Sequence, residues 1–383
     1  MFPTKVFHSW LILIVLGLGT RFAQADGRKL VPSPFAATVL THFEEWDLNH
    51  NGVLDPDELD KLVMNRSIRG DAAAALGTLK SIQRRGKVDL PKLDVDYFNN
   101  YAQSVAQKNL KGYPPFEAQF NAAKKKTADT SRVIFPPGQP SLRGVHQGSL
   151  GDCFFLASLA SMIARDPAGV HQLITREPNG EYLIEFPGAK KVRVQPLTDA
   201  ELALTSTTQG QGLWLNLFEK GYGQLRNEAL KGDKKTLCAT DAICKGGSPK
   251  LVLQDLTGHQ VKWMNLHRVT KEKEPVPPEK IADEVHQVLM NAQQAKRLMC
   301  AVTPQEQKAK GVSPHHAYTV LSYDASTRML YLFNPHGNSW TPRGEPGLAN
   351  GYATKSGRFG MPLTEFVECY QALYFETSEL LKK

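Results

Sequence analysis

Residues 147–163 read Q-G-S-L-G-D-C-F-F-L-A-S-L-A-S-M-I, and the fold turns on this stretch. Gly148 and Gly151 make a flexible approach, and Asp152 is a residue type that caps helices. From Cys153 onward Phe155, Leu156, Leu159, Met162 and Ile163 recur at helical spacing. The pattern predicts a buried helix with a thiol on its first turn. Free backbone N–H groups and the helix dipole at that end favour thiolate over thiol. Gln147 can turn its side-chain amide toward the same point and, with the Cys153 N–H, form an oxyanion hole.

A cysteine at a helix start is more often structural, so a partner has to be found. Residues 315–340 read H-H-A-Y-T-V-L-S-Y-D-A-S-T-R-M-L-Y-L-F-N-P-H-G-N-S-W. Two strand-like runs flank Asp324-Ala325-Ser326, which reads as a turn. A hairpin folded about Ala325 sets Tyr318 opposite Leu332, Val320 opposite Leu330 and His316 opposite Asn334. Directly opposed residues share a face, with Cβ atoms roughly 4.5–5.5 Å apart. An amide so placed can hold an imidazole in one tautomer while the imidazole takes the thiol proton. A one-residue slip would separate the two. His315, His336 and His146 are nearby alternatives to His316 as the base.

The segment Q-G-S-L-G-D-C-F-F-L-A resembles the active-site signature of the calpain family of cysteine proteases, and His316-Ala317-Tyr318-Thr319-Val320 followed by Asn334-Pro335-His336-Gly337 resembles its second signature. The lead-in Ser141–His146 and the stretch from Gly212-Leu213-Trp214 to Glu219-Lys220-Gly221-Tyr222 are also similar to that family. So are Gly246-Gly247-Ser248, Leu256-Thr257-Gly258 and Thr364-Glu365-Phe366. The resemblance covers residues 135–378. It implies an α+β fold with a papain-like, two-lobed catalytic core. A helical lobe over 141–258 would hold the nucleophile Cys153 with Gln147 as oxyanion donor. A β-rich lobe over 259–383 would hold His316 as base and Asn334 as its orienter. The implied activity is hydrolysis of polypeptide substrates through a thioester. Two departures stand out: Phe154 and His336 each occupy a position where the family usually has tryptophan. The competing reading is a weak or inactive calpain fold used as a calcium-dependent binding protein.

Upstream, residues 47–58 read D-L-N-H-N-G-V-L-D-P-D-E. A calcium loop of the EF-hand type needs oxygen ligands at its positions 1, 3, 5, 9 and 12, a glycine at 6 and a backbone carbonyl at 7. The segment supplies Asp47, Asn49, Asn51, Gly52, Val53 through its carbonyl, Asp55 and Glu58. Helical patterns flank it, so residues 26–108 are expected to form an all-α EF-hand domain that binds calcium. Its second hand is drawn with Gly86 at position 6, Val88 at 8 and Asp89 at 9. That loop is degenerate, because Ser81, Gln83, Arg85 and Lys92 fill its ligand positions. Residues 109–140, rich in proline, lysine and small polar residues, read as a linker, with Lys124-Lys125-Lys126 solvated.

The first 25 residues carry Lys5, the short apolar run Trp10–Gly17 and Ala23-Gln24-Ala25, the pattern of a cleaved export signal. The chain is therefore expected outside the cytoplasm, with no stable membrane insertion after cleavage. Five cysteines are present. An odd count leaves at least one thiol free, and Cys238 and Cys244 are close enough in sequence either to bridge or to stay apart. The formal charge of +8 is spread thinly over the chain, which argues against nucleic-acid binding.

Overall fold

The computed structural model describes residues 33–84, 91–138, 140–269 and 273–382. The export signal lies outside them, as do Arg85, Gly86, Val88 and Asp89 of the second loop. Among the described residues no helix is long and apolar enough to cross a membrane.

Five helices form an N-terminal layer: α1 (Pro34–Trp46), α2 (Pro56–Val63), α3 (Gly70–Arg84), α4 (Val95–Ala106) and α5 (Phe116–Asp129). Aromatic residues close its core. Phe35 stacks on Phe116 with centroids 4.7 Å apart, and meets Phe98, Tyr101 and Phe120 edge-on. Two expectations fail here. Residues 109–140 are not simply a linker: Phe116, Phe120, Ala123 and Thr127 form a buried stripe on α5, at the spacing of one helix face, and anchor it in this core. Nor are the three lysines alike. Lys124 pairs with Asp71 and Lys125 with Asp129, whereas Lys126 turns inward onto the carbonyl of Thr205.

The helical lobe follows: α6 (Cys153–Arg165), α7 (Pro167–Gln172), the antiparallel sheet β1 (Ile174–Arg176), β2 (Tyr182–Glu185) and β3 (Lys191–Val194), then α8 (Asp199–Leu204), α9 (Trp214–Ala229) and α10 (Pro249–Thr257). The second lobe contains β4 (His259–Asn265), α11 (Pro278–Gln294), β5 (Met299–Val302), β6 (Ala317–Asp324), β7 (Met329–Phe333), β8 (Arg358–Pro362), α12 (Leu363–Cys369) and β9 (Ala372–Leu380). Its six strands run in the order β4-β9-β5-β6-β7-β8, with every neighbouring pair antiparallel.

Strand alternation divides the interior in two. Cys300 and Ala317 belong to the core built on α6 and α9. Their strand neighbours Met299, Ala301, Tyr318 and Val320 belong to the core under α11 and α12. The α6 helix is also bonded to this sheet: Thr319 Oγ1 donates to the Ala157 carbonyl at 2.7 Å, and the Met299 N–H donates to Ser161 Oγ at 3.1 Å. The α6 helix thus forms one part of the junction between the lobes, and α10, packed on β4 and β9, forms another.

The N-terminal layer is fastened to the helical lobe by buried ion pairs. Lys80 of α3 bridges Asp60 of α2 and Asp241 of the lobe, and Arg84 joins Asp241 and Thr240. All five cysteines are free thiols. The Cys238–Cys244 bridge does not form: Cys238 is buried beside Thr240 and Arg84, while the Cys244 thiol donates to the Asp241 carbonyl at 3.1 Å.

Candidate active site

Cys153 is the first residue of α6 and is partly exposed, while the next ten residues of the helix are buried. The approach to it packs backbone on backbone. A Cβ on Gly148 would lie 2.3 Å from the Thr205 carbonyl oxygen, and one on Gly151 would lie 2.4 Å from that of Cys244; both positions admit only glycine. Asp152 does not cap the helix with its side chain, contrary to expectation. Its carbonyl accepts from the Phe155 and Leu156 N–H groups at 2.8 and 3.0 Å, but its carboxyl is wholly buried and faces Glu219 of α9.

His316 and Asn334 meet. His316 Nε2 lies 2.8 Å from Asn334 Oδ1, and the His336 N–H donates to that same oxygen at 3.0 Å. A carbonyl oxygen can only accept, so His316 carries its proton on Nε2 and leaves Nδ1 as the basic nitrogen. Its main chain is held by Thr303: the His316 N–H donates to Thr303 Oγ1 at 3.0 Å, and the Thr303 N–H donates to the His316 carbonyl at 2.9 Å.

The pair comes together by a different register from the one expected. Thr319 faces Phe333 and Val320 faces Leu332, whereas nearer the turn Tyr323 faces Leu330 and Asp324 faces Met329. Extending the ladder sets His316 opposite His336, with Asn334 its diagonal neighbour. The connecting turn takes in residues 325–328, which displaces the register by three, and a bulge at Leu321 returns one. The net slip of two is even, so His316 and Asn334 stay on one face. His336 stacks flat on the His316 ring, with centroids 4.4 Å apart and planes 5° apart.

Gln147 joins the two halves of the site through its backbone, its N–H donating to the Pro335 carbonyl at 2.8 Å. Its side-chain amide donates to the Leu150 carbonyl at 2.8 Å, leaving one amide hydrogen uncommitted. The Cys153 thiol lies against the N–H of Ala317, the residue after His316. Among the described residues no hydrogen bond joins the thiol to His316 itself.

The electrostatics oppose the expected thiolate. Burial pushes the Cys153 thiol above its ordinary value, and the Ala317 N–H works against this. Burial pulls His316 down to about 3, with His336 adding to the fall and the Asn334 bond opposing it. Desolvation outweighs the helix N-terminus, and both groups rest neutral.

Residues 47–58 connect α1 to α2 in the other core. Asp47 accepts from the Asn51 and Gly52 N–H groups at 3.0 and 2.7 Å, and Glu58 accepts from the Asn49 and Asp55 N–H groups at 3.1 and 2.8 Å. The amides of Asn49 and Asn51 both donate to Asp55 Oδ2. The donor set is all oxygen, which suits a hard cation. Among the described residues, however, no three acidic, histidine or cysteine side chains converge on one point, so a cation would also need the Asn49 and Asn51 oxygens and the Val53 carbonyl. The Leu54 N–H donates to the Leu93 carbonyl at 3.0 Å, and Asp94 caps α4 as Asp55 caps α2. Val88 and Asp89 of the expected second loop lie outside the described residues, while Asp94 starts α4 next to Leu93.

A model of the calpain family of cysteine proteases matches residues 96–345. The chain belongs to this family. Calpain-13 of Rattus norvegicus is 24% identical over 324 residues, covering 73% of this chain and 43% of the relative. Calpain clp-4 of Caenorhabditis elegans is 23% identical over 281 residues, 64% and 36% of the two chains. The calpain-1 catalytic subunit of Homo sapiens is 27% identical over 143 residues, 33% and 18%. This calpain-family chain thus spans less than half the length of these relatives.

Sequence reasoning missed the buried carboxyl pair Asp152–Glu219. The signal was present, since Leu215, Glu219 and Tyr222 fall at helical spacing on the apolar face of α9.

Proposed function

We propose that this chain is a cysteine endopeptidase with Cys153 as nucleophile, His316 as general base and Asn334 as the residue that orients it. The observation that carries the reading is the His316–Asn334 bond, which leaves Nδ1 basic, with the Ala317 N–H of the same strand start on the thiol of α6. The resting site is neutral, so turnover begins by bringing Sγ and Nδ1 together. The thiol proton passes to Nδ1 as Sγ bonds to the peptide carbonyl carbon. The Cys153 N–H and the free amide hydrogen of Gln147 hold the oxyanion. His316 then gives its proton to the departing amine, leaving a thioester. Water, deprotonated by His316, displaces Sγ, which recovers the proton. Cys153→Ser should abolish cleavage of an unfolded protein substrate and leave the melting temperature unchanged. Hydrolysis at the wild-type rate in that variant would refute the assignment.

Residues 47–58 are read as an EF-hand calcium loop. Asp47, Asn49, Asn51, Asp55 and Glu58, with the Val53 carbonyl, would hold the ion. Positive φ angles at His50 (58°) and Gly52 (78°) support this reading, as does the Leu54–Leu93 bond. Calcium would cross-link α1 to α2. The N-terminal signal makes the enzyme an exported one, and sequencing the mature N-terminus tests that.

A second reading, an inactive calpain fold that binds in a calcium-dependent way, is favoured by the neutral, stacked His316–His336 pair. Iodoacetamide at low concentration separates the two: selective alkylation of Cys153 supports the enzyme, and indifference supports the binding protein.

A further inference from the structure

The carboxyl group of Asp152, the residue before Cys153, is wholly buried, and neither of its oxygens meets a hydrogen-bond donor. What faces it is the equally buried carboxyl of Glu219. Glu219 has donors of its own: the Ser206 N–H reaches its two oxygens at 3.0 and 2.8 Å, and Ser206 Oγ donates at 2.8 Å. Two acceptors in contact, away from water, cannot both be ionised. One proton must stay between them, and it belongs on Asp152, because Glu219 has donors that favour a carboxylate and Asp152 has none. The pair therefore carries a single buried negative charge.

A buried charge needs a counter-charge. Among the described residues the cation that acts on both carboxyls is Lys126 of α5, in the N-terminal layer. Lys126 donates to the carbonyls of Thr205 and Ala203, next to Ser206, and its ammonium acts electrostatically on both Glu219 and Asp152. The surroundings explain why this matters. A cavity of about 240 Å³ separates Gly77, Thr78 and Ser81 of α3 and Ala122 of α5 from Gln147 and Gly148. Lys126 lines this cavity and reaches from α5 to Thr205, against which Gly148 packs.

We propose that Lys126 is a positioning residue of the active site, and that the N-terminal layer holds the loop from Gln147 to Cys153 in place through the proton-sharing pair Asp152–Glu219. This rests on the endopeptidase reading for its kinetic consequence, but the placement of the loop is measurable without turnover.

The experiment compares wild type with Lys126→Met, Lys126→Arg, Glu219→Gln and the double variant Lys126→Met/Glu219→Gln in the full chain. Cleavage of a fluorogenic peptide, Cys153 alkylation by iodoacetamide and thermal melting are measured for each. Misplacing catalytic groups by about 1 Å costs roughly 10²-fold. Lys126→Met should therefore lower kcat by roughly that factor with KM changed little, and slow alkylation in parallel. Lys126→Arg should restore both rates. The double variant removes the buried charge together with its counter-ion and should recover most of the loss, which a packing role of the lysine stem would not allow. If Lys126→Met does not fold, the double variant against Glu219→Gln decides. Rates that match within a few-fold support the charge argument, and a double variant slower than Glu219→Gln by roughly 10²-fold overturns it. Wild-type kcat and alkylation in a folded Lys126→Met also overturn the proposal. If wild type cleaves nothing but Lys126→Met still slows alkylation, the endopeptidase reading falls and the positioning role stands.

Discussion

The cleft and the acidic loop are both polar clusters, yet they are built in opposite ways. Around residues 47–58, the side-chain bonds of Asp47, Asn49, Asn51, Asp55 and Glu58 stay within the loop's own sequence. In the cleft, the bonds join residues far apart in the chain: His316 to Asn334, His316 to Thr303, Gln147 to Pro335, Thr319 to Ala157. A cluster that satisfies itself locally needs little from the rest of the fold. A cluster assembled from α6, β6 and the end of β7 depends on how the lobes are held. Substitutions in the two places should therefore fail differently, the cleft in activity first and the loop in stability first.

The largest expected effect comes from cutting the cleft's own bond. Asn334→Ala removes the acceptor that keeps the His316 proton on Nε2, so the ring can hold its proton on either nitrogen and turn. A base that is present but wrongly oriented costs roughly 10²-fold in kcat. Thermal melting should move far less, because the vacated space borders an opening lined by Ser313, Pro314 and Asn338, where water can replace the amide. A fall in melting temperature large enough to explain the lost activity would break the contrast between the two regions. Asn334→Gln, with the same amide on a longer stem, should stay impaired.

Next in size is a pH effect on stability. His316 has its folded value pulled from 6.5 to about 3. A group so depressed leaves stability intact above the unfolded value, and that stability is lost as pH falls toward the folded value. Between about pH 6.5 and 3 the unfolded chain binds the proton that the folded chain refuses. Stability should fall by at most about 1.4 kcal/mol per pH unit from this residue, and His336, depressed by burial, steepens the same limb. Urea melts of His316→Gln across this range should show a shallower acid limb than wild type. An identical limb would mean that the imidazole is not held neutral in the fold.

The same contrast explains what could be read from the sequence. The α6 helix was legible because Phe155, Leu156, Leu159, Met162 and Ile163 all face one core, and a 3.6-residue period survives any tertiary context. The His316–Asn334 hairpin was legible as an element but not in register. The turn contains Arg328 at φ 54°, a conformation that no glycine or asparagine announces, and the bulge at Leu321 leaves no mark in the alternation. Together they leave an even slip of two, so the right pair was found through the wrong ladder. The linker reading of 109–140 failed for another reason. Proline and lysine dominate its composition, while the stripe of Phe116, Phe120, Ala123 and Thr127 that docks α5 is only four residues long. Asp152 was read as a cap from its residue type, but the buried Glu219 opposite outranks a local backbone bond, and that neighbour comes from another helix.

The smallest expected effect belongs to the acidic loop. Asp47→Ala removes the acceptor for the Asn51 and Gly52 N–H groups, and with it the first of the proposed calcium ligands. Without added calcium the cost should be about 1 kcal/mol, the scale of the hydrogen bonds lost. With calcium at a hundredfold excess over its Kd, wild type should gain about 2.7 kcal/mol that the variant does not. If the loop only clamps α1 to α2, peptide cleavage at saturating substrate should be the same in both proteins at a temperature where both are folded. A calcium-dependent kcat lost in Asp47→Ala would instead mean that the loop acts on the cleft. The Lys80 bridge between Asp60 of α2 and Asp241 of the helical lobe would then be its first link, and Lys80→Met should uncouple kcat from calcium without removing the calcium-dependent rise in melting temperature.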